Sequence, residues 1–188
     1  MNGGAGGNGR ESGEDLDIVD ENDRVIGRAA RSEVHGNPSL LHRVVHVLVF
    51  DGEGRLFLQK RADDKDVQPG KWDTSVGGHV DSGEERMEAA FRELSEELGV
   101  PPSGRKPPEL VFLHAYTHSN DYESESVRTW MCRWDGPFVL QESEISEGRF
   151  WSVDEIDPLA RRDGEACPFT PNFLDELERW RREGSPLP

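Results

Sequence analysis

The stretch Gly78–Val100, with the sequence GHVDSGEERMEAAFRELSEELGV, decides how the rest of the chain is interpreted. Over about residues 84–98 its apolar residues recur at the spacing of an amphipathic helix, at Met87, Ala90, Phe91, Leu94 and Leu98. An S-x-x-E pattern at Ser82 and Glu85 predicts a capping box at the start of this helix, and Gly99 predicts its end. The stretch is therefore expected to be a glycine-rich turn followed by one long helix.

Three glutamates share one side of this helix. At 100° per residue, Glu93, Glu96 and Glu97 fall within an arc of about 100°, roughly opposite the centre of the apolar stripe. Arg92 borders the arc and Ala89 lies within it. Such an arc is usually a solvated face, but the glycine-rich entry turn and the neighbouring arginine favour a carboxylate site here. Mg²⁺ binds oxygen ligands of this kind and retains several water molecules, which leaves room for a substrate diphosphate.

The same stretch resembles the Nudix box at every defined position: Gly78, Glu84 and Arg92 to Val100. The flanking pattern extends this resemblance to about residues 15–182. It implies an α+β fold, the Nudix α/β/α sandwich with a mixed β-sheet and the Nudix loop–helix. It also implies a hydrolase that cleaves a diphosphate linkage in a nucleoside diphosphate derivative or a related small molecule, with Mg²⁺ or Mn²⁺ as cofactor.

The resemblance also implies roles for individual residues of the box. The implied metal ligands are three carboxylates and one backbone carbonyl: Glu93, Glu96, Glu97 and Gly78. Glu97 or Glu93 is in addition the candidate base that deprotonates water, and Arg92 would orient a glutamate. Glu84 and Gly99 would support the structure of the box.

Other acidic and basic residues are candidates outside the box. A further acid could come from Glu144 or Glu147, which precede a short predicted strand. Four cationic side chains are expected to contact substrate phosphates: Arg55, Lys60, Arg61 and Lys71. Gln59 on the same strand is a candidate as well, and a solvent-facing strand edge is the alternative interpretation of this segment.

A second set of possible metal ligands comprises three histidines and two glutamates: His35, His42, His79, Glu123 and Glu125. Their segments resemble the isopentenyl diphosphate isomerase branch of the Nudix superfamily, in which such a set binds one divalent metal. Alternation along a strand would place both glutamates on one face. The isomerase, however, needs a cysteine where this chain has Gly77, so hydrolysis is favoured over isomerisation. A non-catalytic nucleotide binder is the third hypothesis, which the complete box disfavours.

The composition restricts the classes of partner. Against 38 Asp+Glu the chain has 22 Lys+Arg, a formal net charge of −16. This charge repels phosphate backbones and anionic lipid, so neither a nucleic-acid polymer nor a membrane is an expected partner. A small diphosphate can still bind if divalent cations lie between the two sets of negative charge. A homodimer is possible, although no segment indicates it.

Domain organisation and location follow from the same composition. The glycine-rich residues 1–13 are expected to form a disordered tail, and residues 14–188 a single domain. Two cysteines, Cys132 and Cys167, cannot form a disulfide framework, and no apolar run is long enough for a membrane span or a signal peptide. These features predict a cytoplasmic protein.

The order of the remaining elements favours an α+β fold with a mixed sheet. The predicted strands lie at residues 16–19, 25–27, 44–50, 55–60, 74–76, 109–116, 127–134 and 149–151, and the first four form two hairpins. Two helices are predicted after the last strand, at about residues 153–160 and from Pro171 onward.

Overall fold

The computed structural model describes residues 15–65, 67–101 and 103–184. The predicted disordered tail at residues 1–13 lies outside the described residues. The described strands are β1 (Asp15–Val19), β2 (Val25–Ala30), β3 (Leu41–Phe50), β4 (Leu56–Arg61), β5 (Trp72–Asp73), β6 (Val76–His79), β7 (Val111–Ser119), β8 (Ser124–Arg133) and β9 (Ile145–Trp151). The helices are α1 (Arg31–Val34), α2 (Arg86–Leu98), α3 (Val153–Ala160) and α4 (Pro171–Arg182), with a 3₁₀ turn at Gly164–Ala166.

Strand β3 lies at the centre of a mixed sheet. It pairs with β8 in parallel over its whole length and with β6 in antiparallel orientation, with Val45 opposite Gly78. On one side the sheet continues from β8 to β7, and on the other β4 pairs with β5 and β9. The hairpin of β1 and β2 joins the start of β3 through Ile18 and His42. Both predicted hairpins are confirmed, although β3 and β4 share only the pair Phe50–Leu56.

Helices cover both faces of the sheet, as expected for an α/β/α sandwich. Alternate residues of β3 (Val45, Val47 and Val49) pack towards α2, in a core that also contains Leu94 and Leu98. The other face packs against α3 and α4, in a core that contains Leu48, Phe50, Ile156, Phe173, Leu177 and Trp180. The predicted fold class is therefore confirmed. No helix of the described segments is long and apolar enough to cross a membrane.

The long helix differs from its prediction in two respects. It begins at Arg86, and its N-cap Glu85 makes no side-chain capping bond. The predicted capping box is wrong because Ser82 Oγ donates instead to Asp17 of the N-terminal hairpin, at 2.5 Å. The predicted end is confirmed, since Gly99 adopts φ +63° and its N–H bonds to the carbonyls of Leu94 and Ser95.

The buried face of α2 is also rotated from the predicted one. Ala89, which the helical wheel assigns to the acidic arc, is fully buried in the core, whereas Met87 of the predicted apolar stripe is 41% exposed. Alanine has a short side chain, so the helix can approach the sheet closely at this position. The acidic arc therefore borders the sheet, and Glu97 is buried.

Candidate active site

Strand β6 and helix α2 place Glu93 directly against Gly78. A Cβ on Gly78 would lie 2.2 Å from the carboxyl carbon of Glu93 and 2.3 Å from its Oε1. No real side chain tolerates such a distance, so only glycine allows this approach. The close contact brings the backbone of Gly78 beside the carboxylate of Glu93, two of the predicted metal ligands.

Arg92 connects the parts of the box. Its Nε and Nη2 donate to the two oxygens of Glu84, at 2.9 and 2.8 Å, and its Nη1 donates to Glu93 Oε1 at 2.6 Å. Nη2 also donates to the carbonyl of His79, at 2.9 Å. These hydrogen bonds raise the pKa of Arg92 above its usual value, with Glu84 as the main cause. The geometry agrees with the predicted orienting role.

Glu84 ties the turn before the helix to this arginine. Its Oε2 accepts the N–H of Asp81 at 3.0 Å as well as the bond from Arg92. Burial favours the neutral acid, but these hydrogen bonds outweigh it and lower the pKa of Glu84 below its usual value. Glu84 is therefore an anion that supports the junction between turn and helix, in agreement with its predicted structural role.

Glu97 is the most deeply buried carboxylate of the box. Burial and, after it, the negative charge of Glu93 raise the pKa of Glu97 well above its usual value. Gln59 Nε2 donates to Glu97 Oε2 at 3.2 Å, and the N–H of Gly77 also bonds to this carboxylate. Gln59 therefore turns inward to the box, a placement that the alternation of β4 alone does not reveal. Its Oε1 is buried without a partner among the described residues.

Glu96 is the most exposed of the three glutamates. Its side chain is 33% exposed and lies 3.6 Å from Arg92 Nη1. In residues 15–65, 67–101 and 103–184, Glu93, Glu96 and Glu97 do not offer three ligand atoms within 4.8 Å of one another. Like charges repel each other, and Arg92 forms ion pairs with two of the three carboxylates, Glu93 and Glu96.

The donors around α2 nonetheless fit a divalent cation. They are all oxygens, as Mg²⁺ and Mn²⁺ prefer. The unpartnered Oε1 of Gln59 and the raised pKa of Glu97 both indicate a place where a positive charge would be stabilising. The carboxylate of Glu93 occupies the place that a Cβ on Gly78 would take, so its oxygens lie beside the backbone of Gly78.

The predicted histidines converge on the other face of the sheet. The Nε2 atoms of His35 and His79 are 3.2 Å apart, and the ring centres of His42 and His79 are 5.2 Å apart. His42, His79 and Glu125 form the one group of three possible ligand atoms within 4.8 Å in the described part of the chain. The structure therefore brings together four of the five residues of the second predicted set.

The chemistry of these histidines also fits a metal. His42 Nδ1 bonds to the carbonyl of Leu40 at 3.2 Å, which leaves its buried Nε2 without a partner among the described residues. A histidine ligand usually has one nitrogen bonded to a carbonyl in this way and the other on the metal. Burial lowers the pKa of His42 to about 4 and that of His79 well below its usual value, so both rings are neutral and can donate a lone pair.

Glu123 and Glu125 differ in their positions. Glu125 is buried in β8 beside His42, its register partner on β3. Glu123 lies in the turn before β8, where its N–H bonds to Asn120 Oδ1 at 2.9 Å. Burial, followed by the charge of Glu123, raises the pKa of Glu125 to about 7. Glu123 therefore lies one residue before the strand, and its charge acts on Glu125.

Of the predicted phosphate-binding residues, Arg55 lies apart from the box. It follows the turn after β3, where Nε donates to Asp51 Oδ2 at 2.6 Å and a second nitrogen lies 3.4 Å from Glu53. Asp51 also accepts the N–H of Arg55, so this arginine closes the turn. Arg55 is therefore not brought to the candidate site.

The other cationic residues lie around the loop between β4 and β5. Lys60 is half-buried on β4, opposite Glu147 of β9. Arg61 donates to the carbonyl of Val67 at 3.0 Å, and the half-buried Lys71 precedes β5. These side chains remain candidates for substrate contacts, because the loop begins at the strand that carries Gln59.

One of the two acidic residues predicted as candidates outside the box, Glu144, lies near it. Glu144 accepts from Lys65 Nζ at 2.6 Å, and its charge contributes to the raised pKa of Glu97 after burial and Glu93. Glu147 is exposed on β9. Of the two candidates, the structure therefore brings Glu144 near the buried carboxylate.

Comparison with known proteins identifies the family. The NUDIX domain model matches residues 40–173, which include the box and every residue of the second set except His35. The chain belongs to the Nudix family. An uncharacterized Nudix hydrolase of Streptomyces coelicolor is 44% identical over 179 residues, which is 91% of this chain and 92% of that protein. One of Yersinia pestis is 38% identical over 170 residues, 88% of this chain and 84% of the relative.

A solved structure has a similar fold. The crystal structure of DR0079 from Deinococcus radiodurans has a TM-score of 0.73 and 25% sequence identity, and the match covers 88% of this chain and 98% of that one. This protein is therefore a Nudix hydrolase. Enzymes of the family generally use divalent metal ions and act on small molecules, and the similar proteins do not specify the substrate.

Proposed function

We propose that this Nudix protein hydrolyses a diphosphate linkage in a nucleoside diphosphate derivative or a related small molecule, with Mg²⁺ or Mn²⁺ held by the box. The observation that carries the proposal is the approach of Glu93 to Gly78, with the buried Glu97 one helical turn further on. This arrangement supports an oxygen-lined site in a chain of charge −16. Such a chain needs cations to attract an anionic substrate.

The box residues divide the work between binding and proton transfer. Glu93, Glu96, Glu97 and the carbonyl of Gly78 would hold the cations. A divalent cation supplies charge neutralisation on the diphosphate oxygens and makes water more acidic. Arg92 keeps Glu93 in place, and Gln59 with the N–H of Gly77 orients Glu97. Glu97, which these two bonds hold in one orientation, would take the proton from the attacking water.

A second divalent ion is proposed at His35, His42, His79 and Glu125, with Glu123 adjoining. The unpartnered Nε2 of His42 and the short distance between His35 and His79 support it. Arg92 bonds to the carbonyl of His79, so the two proposed centres share strand β6. Ligands with imidazole nitrogens favour a transition metal such as Mn²⁺ over Mg²⁺ at this second centre.

Isomerisation has no support beyond this second set of ligands. Gly77 has no side chain to transfer a proton, and Cys132 and Cys167 are buried in the two hydrophobic cores. Nor does any observation favour a non-catalytic binder, because every acidic residue of the box is present.

A diphosphate panel tests the proposed function. Wild-type protein with Mg²⁺ or Mn²⁺ is expected to release monophosphate products from at least one class of diphosphate. Glu97→Gln should reduce kcat by at least about a hundredfold, because the amide cannot accept the proton. Ser95→Ala, an exposed change on the same helix, is the matched control and should retain activity. An inactive wild type, or an unimpaired Glu97→Gln variant, contradicts the proposal.

A further inference from the structure

Strand β3 places a histidine, His46, opposite Gly77 of β6. The two residues are antiparallel register partners, so their side-chain positions share one face of the sheet. Leu48 and Phe50 show that this is the α4 face. A Cβ on Gly77 would lie 3.2 Å from Cδ2 and 3.4 Å from Nε2 of His46. The imidazole therefore lies against β6 because residue 77 has no side chain.

A buried carboxylate on α4 holds this ring. Glu176 has no exposed surface. It accepts from Nδ1 of His46 at 2.8 Å, from the hydroxyl of Tyr116 at 2.8 Å, from the hydroxyl of Thr129 at 3.2 Å and from Nε2 of His114. Four partners fix the carboxylate, and Nδ1 of His46 is committed to it. Nε2 is therefore the nitrogen of His46 that faces Gly77.

The charges of His46 and Glu176 determine what Nε2 of His46 can bind. Burial lowers the pKa of His46, but the hydrogen bond and charge of Glu176 outweigh it and raise that pKa above the usual value. An imidazolium whose Nδ1–H is occupied offers Nε2–H as its second donor. Such a donor suits an anionic oxygen, with which it forms a charge-assisted hydrogen bond.

Nε2 of His46 lies on the face of the sheet that carries the second proposed centre, against the strand that also carries Gly78 of the box. Gly77 is followed directly by Gly78 and His79, and its N–H bonds to Glu97. We propose that Nε2 of His46 donates a hydrogen bond to an anionic phosphate oxygen of the substrate, and that Glu176 is the positioning residue for this contact. The inference rests on the proposed function, since it names a substrate contact of that site.

Kinetics of a matched pair of variants test the contact. In His46→Asn the amide can still donate to Glu176, but nothing replaces Nε2. We expect kcat/KM for a hydrolysed diphosphate to fall by about ten- to a hundredfold. Cys167→Ala is the control, because Cys167 is equally buried in the core on the same face of the sheet and bonds to the carbonyl of Phe169 instead of Glu176. It should change kcat/KM by less than threefold; equal losses in both variants, or none in His46→Asn, overturn the inference.

Ring-nitrogen NMR with methylenediphosphonate and Mg²⁺ provides a readout that does not depend on turnover. The Nε2 resonance of His46 should shift on addition of the diphosphonate, while those of His114 should not. In Glu176→Gln the shift should be reduced, because the ring is no longer held by an anion. A folded Glu176→Gln variant with the full shift contradicts the positioning role.

The two readouts separate the inference from the proposed function. Turnover by the wild type without an effect specific to His46 overturns the inference alone. A shift of His46 without turnover of any diphosphate supports the contact and overturns the hydrolytic function. Neither turnover nor binding of methylenediphosphonate overturns both.

Discussion

Alanine in place of Gly78 is a sharp perturbation of the site. Its Cβ would lie 2.2 Å from the carboxyl carbon of Glu93, whereas non-bonded carbons prefer about 3.5–4.0 Å. The carboxylate must therefore retreat by more than about 1 Å. Misplacement on this scale costs on the order of a hundredfold in rate. We expect Gly78→Ala to reduce kcat/KM by about ten- to a hundredfold, or about 1.4–2.8 kcal/mol of transition-state stabilisation.

The assay is hydrolysis of the best diphosphate in the panel, with Mg²⁺ titrated for each variant. The apparent affinity for Mg²⁺ should weaken together with kcat/KM, while the melting temperature changes little, because the displaced carboxylate can move towards solvent. Gly27→Ala on β2 is the control, since a Cβ there meets only Ile18, at 3.9 Å. A Gly78→Ala enzyme within twofold of wild type in both quantities would refute the reasoning.

A compensating change provides an independent check. Glu93→Asp shortens the side chain by one methylene, which removes the two atoms that lie 2.2 and 2.3 Å from the new Cβ and leaves Cγ, at 2.6 Å. In the Gly78→Ala background this second substitution should therefore cost less than it does alone. Strict additivity of the two effects would indicate that they do not interact through this contact.

Three further predictions concern the second centre and the stability of the fold. Glu125→Gln and His42→Ala should each abolish the rise in melting temperature that Mn²⁺ produces at the second centre, and unchanged Mn²⁺ stoichiometry would contradict that centre. Asp23→Ala should lower the free energy of unfolding by about 2–4 kcal/mol, because Arg86 remains buried without its counter-ion. Burial raises the pKa of Asp23, but hydrogen bonds from arginines outweigh burial and lower that pKa below 3.8. The stabilisation by Asp23 is therefore present at neutral pH and is lost as the pH falls below 3.8 through the lowered pKa. Equal losses of stability in wild type and variant on acidification would refute this role of Asp23. Thr170→Ala removes the N-cap of α4 and should cost about 1 kcal/mol without altering kcat, as measured by urea unfolding and turnover.

Local patterns were sufficient to predict the elements around the box. The helix, its end at Gly99 and the proximity of Arg92 to the glutamates depend on residues within one or two helical turns. Helical spacing alone placed the buried face wrongly at Ala89, because burial depends on how closely the sheet approaches. The capping box failed for a similar reason, since Ser82 bonds to a strand far away in sequence.

Long-range pairing determines the remaining parts of the site. The parallel register of β3 and β8 brings His42 beside Glu125, a contact that spacing in sequence does not encode. Gln59 was a candidate for substrate contact, with a solvent-facing strand edge as the alternative, and its amide donates to the buried Glu97. The buried position of Glu176 is also invisible in the sequence, where a glutamate in an arginine-rich amphipathic helix is expected to be solvated.

The central claim is that the box carboxylates hold the cations that join this acidic chain to its substrate. The most direct measurement is anomalous scattering from crystals grown with Mn²⁺ and methylenediphosphonate. Density for at least one ion between Glu93, Glu97 and the carbonyl of Gly78, in contact with the diphosphonate, is the expected result. A bound diphosphonate with Mn²⁺ at the histidines and none beside α2 would contradict the account.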